Sequence, residues 1–250
     1  MNDIQNQNQH KYEEFNRHVS LWNIIPSGSG NSLVLLRKVL DGIQSGTFEK
    51  NPTLVISGEG ARDLAYAFAN SYCSEDIREI EAQHLYLVRG QSEFFLNSLY
   101  DTVHIIENIA TIGMSESILW HVLKKRIYKT SRMDGSIDFH HITGIIVMTA
   151  GEIKSVPPSL YRAVDFKAVM EHYTQEQLEL IVHQRLVFCR IDYQNNEDIL
   201  KTVIEYSCGK LNFIYELLKV CILLAQLEHG NKLDMKTVQQ AFKLSHLPEH

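Results

Sequence analysis

The 250-residue sequence lacks a long apolar run and a targeting segment. Its longest apolar stretch, Leu217 to Leu227, is interrupted by Lys219 and Gln226, and it falls short of the roughly 18–20 residues that cross a bilayer. Residues 1–10 are rich in Asn and Gln and carry no apolar core, so we expect no secretory signal. These absences predict a cytoplasmic protein without a membrane span.

Closely spaced cysteine pairs and an excess of positive charge are also missing. The four cysteines are widely spaced and form no Cys-x-x-Cys pair, and the histidines show no ligand spacing, so we expect neither a disulfide framework nor a metal site. The net charge is −6, which gives no general attraction for nucleic acid. The candidate exception, a local surface that could bind nucleic acid, is a basic patch that begins with Lys124, Lys125 and Arg126. It continues through Lys129 and Arg132, although such a run is also typical of a solvated helix face.

Two kinds of pattern divide the chain. Up to about residue 170, short apolar runs alternate with helical periodicity, which predicts a mostly parallel sheet with helices on both faces. The predicted strands are 53–57, 85–88, 102–107 and 144–149, and the predicted helices are 33–44, 62–72 and 115–129. Beyond Met170 only helical segments remain, namely 174–188, 196–207, 211–228 and 234–245. We therefore expect a disordered or loosely helical segment at 1–20, an α/β core at 21–170 and an all-helical domain at 171–250.

Four stretches, in this order, resemble the motifs of AAA+ ATPases. Residues 51–70 resemble the first strand, phosphate loop and helix of that family, and residues 103–112 resemble its strand with the acidic metal-site pair. Residues 144–165 resemble the first sensor and the arginine-finger segment, and residues 172–182 resemble the start of the helical lid. Their order and spacing are most similar to the RuvB type, with clamp-loader subunits next. The resemblance implies an AAA+ sheet followed by a small helical lid.

The phosphate loop of that family reads Gly-x-x-x-x-Gly-Lys-Ser/Thr, because backbone N–H groups cradle the phosphates, the lysine reaches them and the hydroxyl holds Mg²⁺. The matching stretch here is about three residues short and has neither the lysine nor the hydroxyl. Glu59 and Asp63 add negative charge where a polyanion would lie, and Arg62 compensates for a single charge. The stretch consists of Gly58, Glu59, Gly60, Ala61, Arg62 and Asp63.

A second glycine-rich loop, residues 28–32, has Asn31 in place of the lysine and Ile25 in place of the first glycine. We interpret it as a helix start capped by Asn31 or Ser32, not as a phosphate site.

The remaining catalytic positions also depart from the family. Glu107 and Asn108 match the acidic pair, and an asparagine amide cannot act as a general base. Thr149 matches the first sensor. The lid sensor, normally an arginine, matches Asn212, with Lys210 two positions away. These departures imply that ATP and ADP are not bound and that the chain is not an enzyme.

One family feature is retained. The segment 157–162 ends in Arg162, which matches the arginine finger that acts on the nucleotide of a neighbouring subunit. The alternative is that Arg162 pairs locally with Asp165 or Glu152.

These observations favour a catalytically inactive AAA+-like subunit that serves as a scaffold or regulatory component for protein partners, which include another AAA+ subunit. The apolar helix 213–227 is either a partner surface or buried against the sheet. Two alternatives stay open: a DNA-processing accessory subunit of RuvB or clamp-loader type, and a weak nucleotide binder with residual ATPase activity through Arg62 and Glu107.

Overall fold

The computed structural model describes residues 19–72, 77–86, 102–131, 135–194 and 196–245. They divide into two compact units. The first contains Val19–Ile24 and Ser29–His172, and the second contains Ile25–Gly28 together with the described residues from Tyr173 onward. The first is an α/β unit and the second is helical. Most of the expected 1–20 segment lies outside the described residues. Across those residues, no helix combines the length and apolarity needed to span a bilayer.

The α/β unit is built on a five-stranded sheet. Its strands are β1 (Thr53–Ser57), β2 (Ile77–Glu81), β3 (Val103–Glu107), β6 (Ile145–Ala150) and β7 (Phe166–Val169). They lie in the order β2-β3-β6-β1-β7, and every pairing is parallel, which confirms the predicted fold class. A separate antiparallel hairpin joins β4 (Ile127–Ser131) to β5 (Ile137–His141).

The three central strands, β3, β6 and β1, are buried along their whole lengths. Val55, Ile106 and Met148 belong to one core cluster with residues of two helices, Glu116–Lys125 and Pro158–Ala163. Successive side chains of a strand point to opposite faces, and the neighbours Leu54 and Ile105 are buried as well. Both faces of the sheet are therefore covered, which explains why these strands read as continuous apolar runs.

The helices of the α/β unit are α1 (Asn31–Gln44), α2 (Ala61–Ser71), α3 (Glu116–Lys125) and α4 (Pro158–Ala163). Short 3₁₀ turns lie at Ala82–Tyr86, Ile109–Thr111, Gly113–Ser115 and Ile153–Ser155. The predicted side-chain cap of α1 is wrong. Its N-cap is Gly30 in the left-handed region, at φ 74°, and the Ser32 hydroxyl donates to the Val169 carbonyl.

Two predicted elements need correction. The strand predicted at 85–88 is wrong where it is described, because Leu85 lies in the 3₁₀ turn that follows β2. The helix predicted over 115–129 ends at Lys125, since Arg126 takes a left-handed conformation at φ 55° and turns the chain into β4. The hairpin β4–β5 and the edge strands β2 and β7 were not predicted.

The helical unit contains α5 (Gln175–Phe188), α6 (Glu197–Tyr206), α7 (Leu211–Glu228) and α8 (Met235–Leu244). All four agree with the predicted segments within two residues. Thr174 and Gln177 form a capping box at the start of α5. The apolar residues of α7, among them Leu217 and Leu218, pack in a core made by this unit itself. Burial within the helical unit is therefore sufficient to explain why α7 is rich in apolar residues.

Candidate functional site

The predicted motifs of the α/β unit meet at one edge of the sheet. The strands β3, β6 and β1 lie side by side, and Ser57 at the end of β1 pairs with Ala150 at the end of β6. Parallel strands present their carboxyl ends at the same edge, which is where ligands bind in open α/β sheets. There the backbone N–H of Asn108, after β3, donates to Oγ1 of Thr149 at 3.2 Å. The acidic motif and the first sensor are thus in direct contact.

The turn between β1 and α2 is three residues long, Gly58 to Gly60. Its polar backbone groups bond within the protein: the N–H of Gly58 donates to the Ala150 carbonyl at 3.0 Å, and the N–H of Ala61 donates to the Gly58 carbonyl at 3.2 Å. Gly58 has a φ of +104°, and a Cβ there would lie 2.7 Å from the Met170 carbonyl oxygen. The turn is therefore closed tightly, and the N–H groups of Gly58 and of Ala61, the first residue of α2, are already used.

Arg62, in the first turn of α2, forms ion pairs with carboxylates of two strands. Its Nε lies 2.5 Å from Oε1 of Glu107 on β3, and its Nη2 lies 2.7 Å from Oε1 of Glu79 on β2. The Glu107 side chain is only 10% exposed, whereas that of Arg62 is 56% exposed. Arg62 therefore covers the acidic motif from the solvent side and connects α2 to both strands.

The protonation of this cluster follows from its burial. Burial raises the pKa of Glu107 to about 8, a hydrogen bond with Glu79 acts in the same direction, and Arg62 acts against both. Burial also lowers the pKa of Arg62, but the charges of Glu107 and Glu79 overcome this and leave it raised. Burial thus favours the protonated form of Glu107 near neutral pH, whereas the neighbouring charge of Arg62 favours the ionised form and does not outweigh it.

Asn108 follows directly after Glu107 and takes a left-handed conformation at φ 52°. Asparagine tolerates this region better than most residues, because its short side chain bonds locally. Its amide cannot take a proton from water. Asn108 therefore fits the left-handed backbone conformation at this position, and it cannot serve as a general base.

No family model and no curated protein matches the sequence, but solved structures do match the fold. The RuvB Holliday junction branch migration motor of Thermotoga maritima has a TM-score of 0.68 at 14% identity, over 92% of this chain and 73% of that one. A point mutant of that protein gives 0.70 at 15% identity, over 91% and 73%. The ORC2 protein of Aeropyrum pernix, solved as ADPNP-ADP complexes, gives 0.58 at 13% identity, over 91% and 70%. The chain has an AAA+ fold. Its sheet and C-terminal helices match the core and helical lid of that fold.

The lid position of the AAA+ resemblance, Asn212, is the second residue of α7 and is exposed. Lys210 is the N-cap of α7 and lies with its Nζ 5.3 Å from the ring centre of Phe213. Both lie in the helical unit, whereas Arg62, Glu107 and the other predicted site residues lie in the α/β unit. No arginine takes the place of Asn212 at the start of α7.

The alternative AAA+ phosphate loop at residues 28–32 is engaged with side chains. The N–H and hydroxyl of Ser29 donate to the carboxylate of Glu171 at 2.6 and 2.8 Å, and these bonds lower the pKa of Glu171. The N–H of Gly28 donates to Oε1 of Gln177 at 3.1 Å. A carboxylate and an amide oxygen thus bind the donors that a phosphate would require.

Arg162, the AAA+ arginine-finger position, is exposed on α4. Both proposed local partners are engaged elsewhere: Asp165 accepts from the N–H and hydroxyl of Thr53 at 2.8 Å each, and Glu152 pairs with Lys154 at 2.9 Å. Across the described ranges, no carboxylate lies within 4.0 Å of the Arg162 guanidinium. The local pairing alternative is therefore wrong for the described part of the chain.

The predicted basic patch needs a correction, because Arg126 is only 9% exposed. Its Nη2 donates to the carbonyls of Asn51 at 2.8 Å and Gly144 at 2.7 Å, and burial lowers its pKa. Arg126 thus holds three chain segments together and takes no part in a surface. Lys124 and Lys125 are exposed as predicted. The side chain of Lys129 and all of Arg132 lie outside what the structure describes.

Sequence reasoning missed two residues of the site, Glu79 and Glu171. Glu79 lies on β2, whose run Ile-Arg-Glu-Ile-Glu has its two isoleucines three positions apart and so lacks the alternation that marks a half-buried strand. Glu171 gives no signal either, because its contact with Ser29 joins residues 142 positions apart. In the described ranges, no three His, Cys, Asp or Glu side chains are grouped so that they could hold a metal ion.

Proposed function

We propose that this chain is a catalytically inactive AAA+-type subunit of the cytoplasm, which binds no nucleotide and serves as a protein-binding component of a larger assembly. The observation that carries the proposal is the Arg62–Glu79–Glu107 cluster. In an active phosphate-loop enzyme, a lysine and Mg²⁺ supply positive charge at this edge and the phosphates bind there. Here the positive charge comes from Arg62, and the carboxylates that it meets belong to the protein itself.

The turn supports the same proposal independently of charge. A phosphate loop binds through several backbone N–H groups that point at the ligand. At this turn, the N–H groups of Gly58 and of Ala61, the first residue of α2, donate to carbonyls of the protein, and a single residue separates Gly58 from Gly60. Removing Arg62 alone would therefore leave a turn that still cannot surround a triphosphate.

Calorimetric titration tests the loss of nucleotide binding. We expect no heat of binding when Mg²⁺-ATP or Mg²⁺-ADP is added up to millimolar concentration, and no phosphate release above the buffer rate. The Arg62→Ala variant distinguishes a blocked site from a missing one, and we expect no binding there either. Binding by the natural protein that is lost in Arg62→Ala would instead support the weak nucleotide binder that uses Arg62 and Glu107.

A second role is favoured by one observation, the exposed Arg162 without a carboxylate partner in the described residues. We propose that it completes the nucleotide site of an active AAA+ neighbour. The protein purified with its natural partners should then show ATPase activity, and Arg162→Ala should lower the ATPase rate of each complex that assembles. An unchanged rate in a complex of the same composition would refute this role.

The alternative of a DNA-processing accessory subunit has less support. The matched proteins include a branch migration motor, but similarity at 14% identity concerns the fold alone. The net charge of −6 opposes phosphate binding, and Arg126 is buried, which reduces the predicted patch. We therefore place a protein partner first.

A further inference from the structure

Four positive charges of the α/β unit lie on three neighbouring elements, α3, α4 and β7; three of them are exposed and the fourth, Lys167, is half-buried and donates to the Val164 carbonyl at 3.5 Å. Nζ of Lys124, in the last turn of α3, lies 3.4 Å from the carbonyl oxygen of Arg162 on α4. Tyr161 precedes Arg162, and Nζ of Lys167 on β7 lies 4.8 Å from the centre of the Tyr161 ring. Lys125 is exposed beside Lys124. We call these five residues the basic strip.

The cations of the basic strip are not neutralised by the protein. Elsewhere, Lys154 and Lys219 have a carboxylate at 2.9 and 3.1 Å, whereas the separate lysines Lys232 and Lys236 of the helical unit have none within 4.0 Å in the described residues. For the four cations of the strip, no carboxylate lies within 4.0 Å in the part of the chain that the structure describes. The nearby Glu116 accepts a hydrogen bond from Ser159. A protein with an excess of acidic residues thus concentrates four unpaired positive charges on one surface.

Apolar surface accompanies this charge. Tyr161 is 40% exposed, and Val169, which is 48% exposed, lies two residues after Lys167 on the same face of β7. Tyrosine and arginine are the residue types that most often dominate protein–protein interfaces, where the ring adds contact area and the guanidinium binds carboxylates in a fork. The combination of charge and apolar surface fits a ligand that carries both acidic groups and an apolar side chain.

We propose that the basic strip is a docking site for an acidic segment of a protein partner. The inference rests on the proposed protein-binding role. A short acidic segment meets only the strip, whereas a nucleic acid extends beyond it onto a protein of net charge −6. Lys167 also covers one face of the Tyr161 ring, which leaves less of it for stacking on a base.

Fluorescence anisotropy with a labelled twelve-residue peptide tests the docking site. The probe has glutamates at all positions except one central leucine, and the matched control peptide has glutamine in place of each glutamate. We expect salt-sensitive binding of the acidic probe and none of the glutamine peptide. In the Lys124→Glu/Lys167→Glu variant, the affinity should fall by at least about tenfold, because like charges then meet across the contact.

The control variant is Lys232→Glu/Lys236→Glu, which makes the same charge change at exposed positions of the helical unit. It should bind the acidic probe as the natural protein does. An equal loss of binding in both variants, or no binding at low salt, would overturn the proposal. Tighter binding of a labelled twelve-nucleotide oligo-dT, lost in Lys124→Glu/Lys167→Glu only, would overturn it in favour of nucleic acid.

A third variant, Arg162→Gln, tests the strip with a substitution that should not disturb folding, because the Arg162 side chain is exposed and makes no ion pair within the described residues. It should melt as the natural protein does and still bind the probe more weakly. The outcome is separate from nucleotide binding, which is measured by calorimetry. The docking site can therefore fail while the inactive ATPase proposal stands, and the reverse also holds.

Discussion

Replacing Glu107 with glutamine should change how the stability of the α/β unit depends on pH. The folded protein holds a proton on Glu107 up to a pKa of about 8, whereas the unfolded chain releases it near the ordinary value of 4.5. Between these values the folded state binds more protons than the unfolded state. The free energy of unfolding must therefore fall as the pH rises through this window.

The expected size follows from the single proton. One proton bound in excess by the folded state changes the free energy of unfolding by at most about 1.4 kcal/mol per pH unit. Between about pH 5.5 and about pH 7.5, the contribution of Glu107 is thus at most about 3 kcal/mol. Glutamine keeps a hydrogen-bonding group beside Glu79 and does not titrate, so this contribution disappears in Glu107→Gln.

The assay is urea unfolding of the natural protein and Glu107→Gln at half-unit steps of pH, followed by circular dichroism. Because other groups of the protein contribute equally to both profiles, the informative quantity is the difference between the two proteins at each pH. The matched control is Glu205→Gln, an exposed residue of α6 in the helical unit. Its profile should run parallel to that of the natural protein.

Two results would refute the reasoning. Parallel profiles for the natural protein and Glu107→Gln would show that Glu107 does not hold an extra proton in the folded state. A stability of the natural protein that rises with pH relative to Glu107→Gln would show that Arg62 keeps Glu107 ionised.

Three further substitutions test the described contacts, each by urea unfolding. Gly58→Ala should lower the stability by more than about 1 kcal/mol, because its Cβ would approach the Met170 carbonyl oxygen at 2.7 Å; Gly46→Ala, also at positive φ but with no atom within 4 Å, should lower it less. Arg126→Met should lower it by about 3 kcal/mol, because two buried carbonyls lose their donor. Thr174→Ala should lower it by about 1 kcal/mol through loss of the capping box.

The sequence was sufficient for the central elements of the fold. The strands β1, β3 and β6 are buried on both faces, so their composition alone marks them as strands. The helices α5 to α8 show regular periodicity, and Thr174 and Gln177 mark the start of the first of them. In both cases the local residues carry the information, because burial and capping act within a few positions of the chain.

The edge strands and the hairpin were less visible. Strand β2 is only five residues long and has two charged residues between its isoleucines, so it lacks the alternation by which a half-buried strand is predicted. Helix α3 ends where Arg126 adopts a positive φ, and nothing in Lys-Lys-Arg signals this local conformation. The buried position of Arg126 depends on carbonyls of Asn51 and Gly144, which are distant in the sequence.

The candidate site was predicted in part for the same reason. The motif order indicated which residues share an edge of the sheet, and Asn108 and Thr149 do meet there. The partners of Arg62 could not be inferred, since Glu79 lies on a strand that the sequence did not reveal. The basic strip likewise requires the contact of Lys124 with Arg162, 38 positions apart.

Under the inactive role that we propose, the short turn after β1 limits how an ATPase could arise. A change from Arg62 to lysine, or from Asn108 to glutamate, alters one side chain and leaves the path of the backbone as it is. Extra residues would have to be inserted between Gly58 and Gly60, and the longer loop would have to find space beside Met170. Single-nucleotide substitutions insert no residues, so they alone would not produce a phosphate loop at this turn, and substitutions on the surfaces of the protein could accumulate without creating one.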